Sequence, residues 1–335
     1  MRVLVAALLL AFVAACAPMR MQQALTPGPG FTGPRLEQDR FVSFDGAKLG
    51  LTRWLPADDE LWAVIVGVHG MDDYANAFHL AAPYWAAHGI ATYAYDQRGF
   101  GRSPERGIWA GHALMTEDLR TIVALVRARY PHAIIAVAGE SLGGAVAIEA
   151  FASDRPPAAD RLVLLAPAVW GWSSQPLLYK TALTLAAHLA PSLVFTPPSF
   201  VTEHIQASDN VAELIAMGRD PLMIWGARSD TLYGLVNTMQ RADDEIGRLR
   251  VPTLYMMGAK DEIIPHAPAL DAAHRLPPGD RTAYYANGWH LLLRDLQAKN
   301  VWEDVAAFVR DSAAPLPSGA PPVPGAATSV AVASR

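Results

Sequence analysis

Short segments that are apolar at almost every position punctuate this chain, at Ala63–Val68, Ala91–Tyr95, Ala133–Ala138, Leu162–Leu165 and Thr253–Met257. Each has the length of a strand, all but Leu162–Leu165 run directly into polar or glycine-bearing residues, and a strand apolar on both sides needs cover on both faces. Phe41–Phe44, Leu49–Trp54 and Thr282–Tyr285 add three more strands, and helical stretches such as the alanine-rich Leu142–Ala152 lie between them. This alternation predicts a mostly parallel, eight-stranded α/β sheet with helices on both faces. Roughly Val169 to Arg250 is too long for one connection between the sixth and seventh strands. We expect an inserted helical lid over 171–230, dividing the core into 39–170 and 231–312. Inside it Leu178, Ala182, Leu185 and Leu189 recur at helical spacing, while Leu177, Leu183 and Ala187 make the other side apolar too. Such a helix must be sandwiched, face a membrane or line an acyl pocket. Trp170, Trp172, Phe195 and Phe200 extend the greasy surface. At 335 residues and 52% hydrophobic, one domain with a lid fits better than two independent domains.

The two ends differ from this core. Met1-Arg2 is followed by an unbroken apolar run, Val3–Ala15, and then by the chain's only cysteine, Cys16. That run is shorter than the about 20 residues of a membrane-spanning helix and falls within the roughly 7 to 15 of a signal-peptide core. Val13-Ala14-Ala15-Cys16 resembles the lipobox of bacterial lipoproteins, which implies that 1–15 is a removed signal and that Cys16 becomes a lipidated first residue anchored in a membrane. Ala17 in place of an aspartate favours the outer membrane of the bacterial cell envelope over the inner one. Residues 16–38 are expected to form a Pro/Gly/Gln-rich tether, and 313–335, mostly Pro, Ala, Gly, Ser and Val, a disordered tail. A lone cysteine forms no internal disulfide. With a net charge of −5, no basic cluster, no metal-ligand grouping and neither a P-loop nor a dinucleotide fingerprint, we expect no nucleic-acid partner, no metal and no cofactor.

The candidate chemistry begins at Gly139-Glu140-Ser141-Leu142-Gly143, a G-x-S-x-G that closes an apolar strand and opens a helix. The sharp turn needs small flanking residues, which Gly139 and Gly143 supply, and it pushes the Ser141 hydroxyl out above the sheet. A serine is a poor nucleophile until a base takes its proton and a third group orients that base. Acid and histidine are expected to follow in that order on loops after late strands. Asp261, in the polar turn after Thr253–Met257, is the candidate acid, with Glu262 as its neighbouring rival and Asp271 too far into the next helix. His290, after Thr282–Tyr285 and the turn Ala286–Trp289, is the candidate base. Two backbone donors must face the oxyanion, and Leu142 after the nucleophile and Met71 in His69-Gly70-Met71 are the candidates. His69 is expected to order that loop rather than act as the base.

These pieces together resemble the monoacylglycerol lipase and lysophospholipase branch of the α/β-hydrolases, grouped with the serine aminopeptidase-like hydrolases. The likeness rests on His69-Gly70, Asp96-Gln97-Arg98-Gly99-Phe100-Gly101-Arg102-Ser103, the Ser141 motif, Leu164-Leu165-Ala166-Pro167, Pro252-Thr253-Leu254 with Gly258 and Asp261, and His290. It spans roughly Phe41 to Arg310 and implies an α/β-hydrolase fold and hydrolysis of lipid esters through an acyl-enzyme. Departures follow His69-Gly70, where Met71-Asp72-Asp73-Tyr74 replaces the usual polar stretch, and follow His290, where Leu291-Leu292-Leu293-Arg294 stands. Peptide hydrolysis, acyl transfer and noncatalytic lipid binding remain alternative expectations.

Overall fold

The computed structural model describes residues 18–57, 61–196 and 205–326. Cys16 with its lipobox and Phe200 lie outside them. The strands in chain order are β1 (Arg35–Leu36), β2 (Arg40–Val42), β3 (Lys48–Trp54), β4 (Ala63–Val68), β5 (Ile90–Tyr95), β6 (Ile134–Glu140), β7 (Arg161–Leu165), β8 (Val194–Phe195), β9 (Ala227–Arg228), β10 (Thr253–Gly258) and β11 (Arg281–Tyr285). The helices are α1 (Ala81–Ala86), α2 (His112–Arg129), α3 (Leu142–Ala152), α4 (Leu177–Leu189), α5 (Val211–Arg219), α6 (Ser229–Glu245), α7 (His266–His274) and α8 (Ala298–Arg310).

Nine strands form the main sheet in the order β1-β2-β3-β5-β4-β6-β7-β10-β11. From β5 to β11 neighbours are parallel, whereas β1, β2 and β3 join antiparallel at one edge. The eight expected strands are all present. The ninth, β1, has only two half-buried residues and no apolar run to announce it.

The unbroken apolar runs have a simple cause. Along β4, Val64, Val66 and Val68 enter the core beneath α2, α3 and α6, while Ala63 and Ile65 enter the opposite core with α1 and α8. Successive side chains of a strand point to opposite faces, so a strand covered twice is apolar at every step. Helix α3 is buried along its whole length, which explains why its sequence is apolar all round.

The described parts of the expected tether and tail, 18–38 and 313–326, are packed on the body. The stretch expected to be a tether, where described, lies against the body. There the Gln22 backbone N–H donates to Trp109 O at 2.9 Å and its amide to Ile108 O at 2.8 Å. Residues 313–326 are not a loose tail. Leu316 and Val323 are buried, and Tyr284 N–H at the sheet edge donates to Pro321 O at 2.8 Å. Proline lacks a donor but keeps its carbonyl, so a proline-rich segment can cap an edge strand whose N–H groups face outward.

Between β7 and β10 the chain leaves the sheet and forms α4, the β8–β9 ribbon, α5 and the start of α6. Helix α4 is sandwiched on one side only. Trp172 and His188 pack on Tyr233 of α6, whereas Leu177, Leu178 and Leu185 are 75%, 72% and 58% exposed.

Candidate active site

Ser141 joins β6 to α3 with φ 51° and ψ −115°, a left-handed backbone that a non-glycine residue adopts at a cost. The neighbours make the turn possible. A Cβ on Gly143 would collide with the Val68 carbonyl oxygen, and one on Gly139 would lie 2.6 Å from Gly143 O. The hydroxyl does not cap the helix it starts.

The loop after β4 passes directly over this turn, since a Cβ on Gly70 would sit 3.3 Å from Ser141 Cβ and 3.9 Å from its Oγ. His69 is fully buried and holds the loop from both ring nitrogens. Nδ1 faces Gly70 O at 2.7 Å, and Nε2 accepts from Gln97 N–H at 2.8 Å. Burial pushes this imidazole below its ordinary pKa, so it is neutral and its tautomer is set by those bonds. Among the described residues, neither the Met71 N–H nor the Leu142 N–H has an acceptor. For Leu142 the cause is its place in the first turn of α3, where N–H groups lack intrahelical partners.

Asp261 follows β10 and His290 follows β11. Their turns are joined by the Lys260 N–H bond to Gly288 O at 2.9 Å. Asp261 Oδ1 accepts from the Ile263 and Ile264 N–H groups at 2.8 and 3.0 Å, which leaves Oδ2 facing His290 Nδ1 at 2.8 Å. Burial raises the Asp261 carboxyl, but the charge and hydrogen bond of His290 and the two amides outweigh it, and its pKa is lowered. With Nδ1–H donated to this carboxylate, Nε2 of His290 is an acceptor. No hydrogen bond joins it to Ser141 in this structure, and catalytic hydrogen bonds of this kind commonly tighten only when substrate is bound. The rival Glu262 turns away to accept Gln206 N–H at 2.7 Å, and Asp271 on α7 pairs with Arg275 just past its end.

The sequence pattern assigns no role to three charged residues at the site, Arg294, Asp73 and Glu140. Arg294 donates to Asp73 through Nη1 at 2.7 Å and to both oxygens of Glu140 through Nη2 at 3.1 and 3.2 Å, all three side chains being buried. The available signal was a lone arginine closing Leu291-Leu292-Leu293, because a charge at the end of a buried run needs a buried partner. Among the described residues, no group of three or more His, Cys, Asp or Glu is placed to hold a metal ion.

Comparison with known proteins follows the same lines. Residues 59–297 match the model of the family described as serine aminopeptidase, S33. The chain is 26% identical to the monoacylglycerol lipase of Mycolicibacterium smegmatis over 80% of its own length and 95% of the relative's. It is also 26% identical to the mouse monoglyceride lipase, over 86% and 95%. Among solved structures, a soluble variant of the Saccharomyces cerevisiae monoglyceride lipase superposes with a TM-score of 0.67 at 16% identity, covering 86% of this chain and 98% of that one. A thermostable carboxyl esterase from Bacillus coagulans gives 0.65 at 18% identity, with 81% and 96% covered. These likenesses establish the α/β-hydrolase fold.

Proposed function

The chain belongs to the serine aminopeptidase S33 family, and from that premise we propose that it is a serine hydrolase cleaving carboxylic esters of lipids, of the monoacylglycerol or lysophospholipid type. The observation that carries this reading is the buried Asp261–His290 pair at 2.8 Å, set on joined turns at the edge of the sheet where Ser141 is held in its strained turn. Ser141 Oγ attacks the ester carbonyl as His290 Nε2 takes its proton. Asp261 fixes the tautomer and stabilises the imidazolium. The Met71 and Leu142 N–H groups receive the oxyanion, a donor pair in which each member is worth about 2.7–4 kcal/mol of barrier. His290 then returns the proton to the leaving alcohol, and water cleaves the acyl-enzyme by the same steps in reverse.

The segment between β7 and β10 favours a lipid substrate, because the exposed leucines of α4 offer an apolar surface to solvent. The names of the relatives point the same way. The family description also raises aminopeptidase chemistry. An amino terminus needs an anion to hold it, and Glu140 and Asp73 beside Ser141 are already paired with Arg294. We further read Cys16 as the lipid-bearing residue that holds the enzyme at the bacterial outer membrane, where such esters concentrate.

A fluorophosphonate probe is expected to label Ser141, and Ser141→Ala is expected to abolish turnover of monoolein, lysophosphatidylcholine and p-nitrophenyl esters while leaving the melting temperature nearly unchanged. Retained esterase activity in that variant, or a preference for aminoacyl amides over all three esters, defeats the reading.

A further inference from the structure

Arg294 stands four residues after His290 and is only 2% exposed. A buried guanidinium persists where anions and hydrogen bonds replace its water, and here the anions come from far along the chain. Asp73 lies two residues beyond Met71 on the loop after β4. Glu140 immediately precedes Ser141. One side chain therefore fastens the three segments that carry an acceptorless amide, the nucleophile and the base. The proton transfers described above use none of these three groups.

We propose that Arg294 is a positioning residue, holding the His290 loop in register with Ser141 by gripping Glu140 at the elbow and Asp73 on the loop after β4. This rests on the ester-hydrolase reading of the site and deepens it. Misplacing a catalytic group by about 1 Å can cost roughly a hundredfold in rate, so a clamp across three independent loops has a direct kinetic role. It also has an electrostatic one. Asp261 from the turn after β10 contacts His290 at 2.8 Å, and Glu140 from the end of β6 and Arg294 from its own loop act on it by charge. Two anions against one cation favour the imidazolium that forms when Ser141 gives up its proton. Burial leaves the Glu140 carboxyl above its ordinary pKa, although Arg294, its guanidinium contacting both oxygens, opposes this.

The test compares full-length Glu140→Gln, Arg294→Lys and Arg294→Met with the unaltered protein. It reads kcat and KM on a soluble p-nitrophenyl ester, the pH profile of kcat/KM, and the rate of fluorophosphonate labelling at Ser141, with circular dichroism to confirm folding. Labelling of the unaltered protein is scored first, because its failure would reject the hydrolase reading itself rather than the clamp. Given that labelling, folded Glu140→Gln is expected to lose about tenfold or more in kcat with KM changed by less than about twofold, and to label more slowly in proportion. The acid limb of its profile should move to lower pH, since a negative charge facing His290 has gone. Arg294→Lys should retain more kcat than Arg294→Met. If Arg294→Met does not fold, the other two variants decide. Unaltered kcat and pH profile in folded Glu140→Gln would reduce the cluster to a structural role, and a change confined to KM would make it part of the substrate site. Either result overturns the proposal.

Discussion

At His290 burial and charge pull in opposite directions. Burial alone lowers the imidazole pKa, but the Asp261 carboxylate, by charge and hydrogen bond, and Glu140 behind it outweigh that effect, so the net displacement is upward from 6.5. A base must be neutral to accept a proton, so kcat/KM on a soluble ester is expected to rise with pH through a midpoint above 6.5. Stability should run the other way. A histidine raised on folding contributes stability that is fully present below its unfolded pKa and fades as pH rises through its folded one. Asp261, lowered on folding, contributes above its unfolded pKa and loses that contribution as pH falls through its folded one. The pair therefore stabilises most in the mildly acidic window between these limits, below the range where the enzyme is most active. Asp261→Asn should cut kcat by about 10⁴-fold through loss of the correct tautomer. Its melting temperature should fall further behind the unaltered protein at mildly acidic than at mildly alkaline pH, and equal deficits at both would count against an ionised pair.

The elbow shows how much of an element can be decided by what its residues lack. Gly143→Ala places a methyl group on the Val68 carbonyl, which belongs to the central strand of the sheet and has no room to retreat. Overpacking of this kind typically costs about 1–3 kcal/mol. We expect thermal melting to show a clear loss of stability, together with a fall in esterase rate as Ser141 and the Leu142 N–H shift. An unaltered melting temperature would mean that the elbow is looser than its contacts imply. The elbow and the eight strands were legible in the sequence because each repeats a local rule, glycine where Cβ cannot fit and unbroken apolar runs where two faces are covered. The loop order of Asp261 and His290 was legible for a similar reason, as both follow short strands late in the chain. Arg294 was not. Its partners lie 221 and 154 positions away, and no local pattern links a lone arginine to them. The ends misled because composition reports what a segment lacks, while the Pro321 carbonyl and the Gln22 side chain supply bonds that composition does not count.

Across the whole molecule, the net charge of −5 offers no broad attraction to an anionic membrane, so association with lipid must come from apolar contact or a covalent anchor. The N-terminal segment enters the body beside the lid. The Arg20 N–H donates to Asp230 at the start of α6 at 3.0 Å, next to the β8–β9 ribbon whose Val194 and Phe195 are both 55% exposed. Under the proposed anchor at Cys16, four positions before Arg20 in the chain, this ribbon lies near the tethered end of the described residues. Burying a leucine side chain is worth about 1.5–3 kcal/mol, so replacing Leu177, Leu178 and Leu185 together by serine removes enough to weaken vesicle binding at least tenfold. In a Cys16→Ser background, which is expected to shift the protein from the membrane fraction to the soluble one, this triple variant should lose co-sedimentation with vesicles and turn over dispersed monoolein more slowly. Its rate on a soluble p-nitrophenyl ester should stay level, because all three side chains are exposed to solvent. An equal fall on both substrates would show instead that the leucines support the folded lid, and an equal rate on both that the lid face plays no part at the lipid surface.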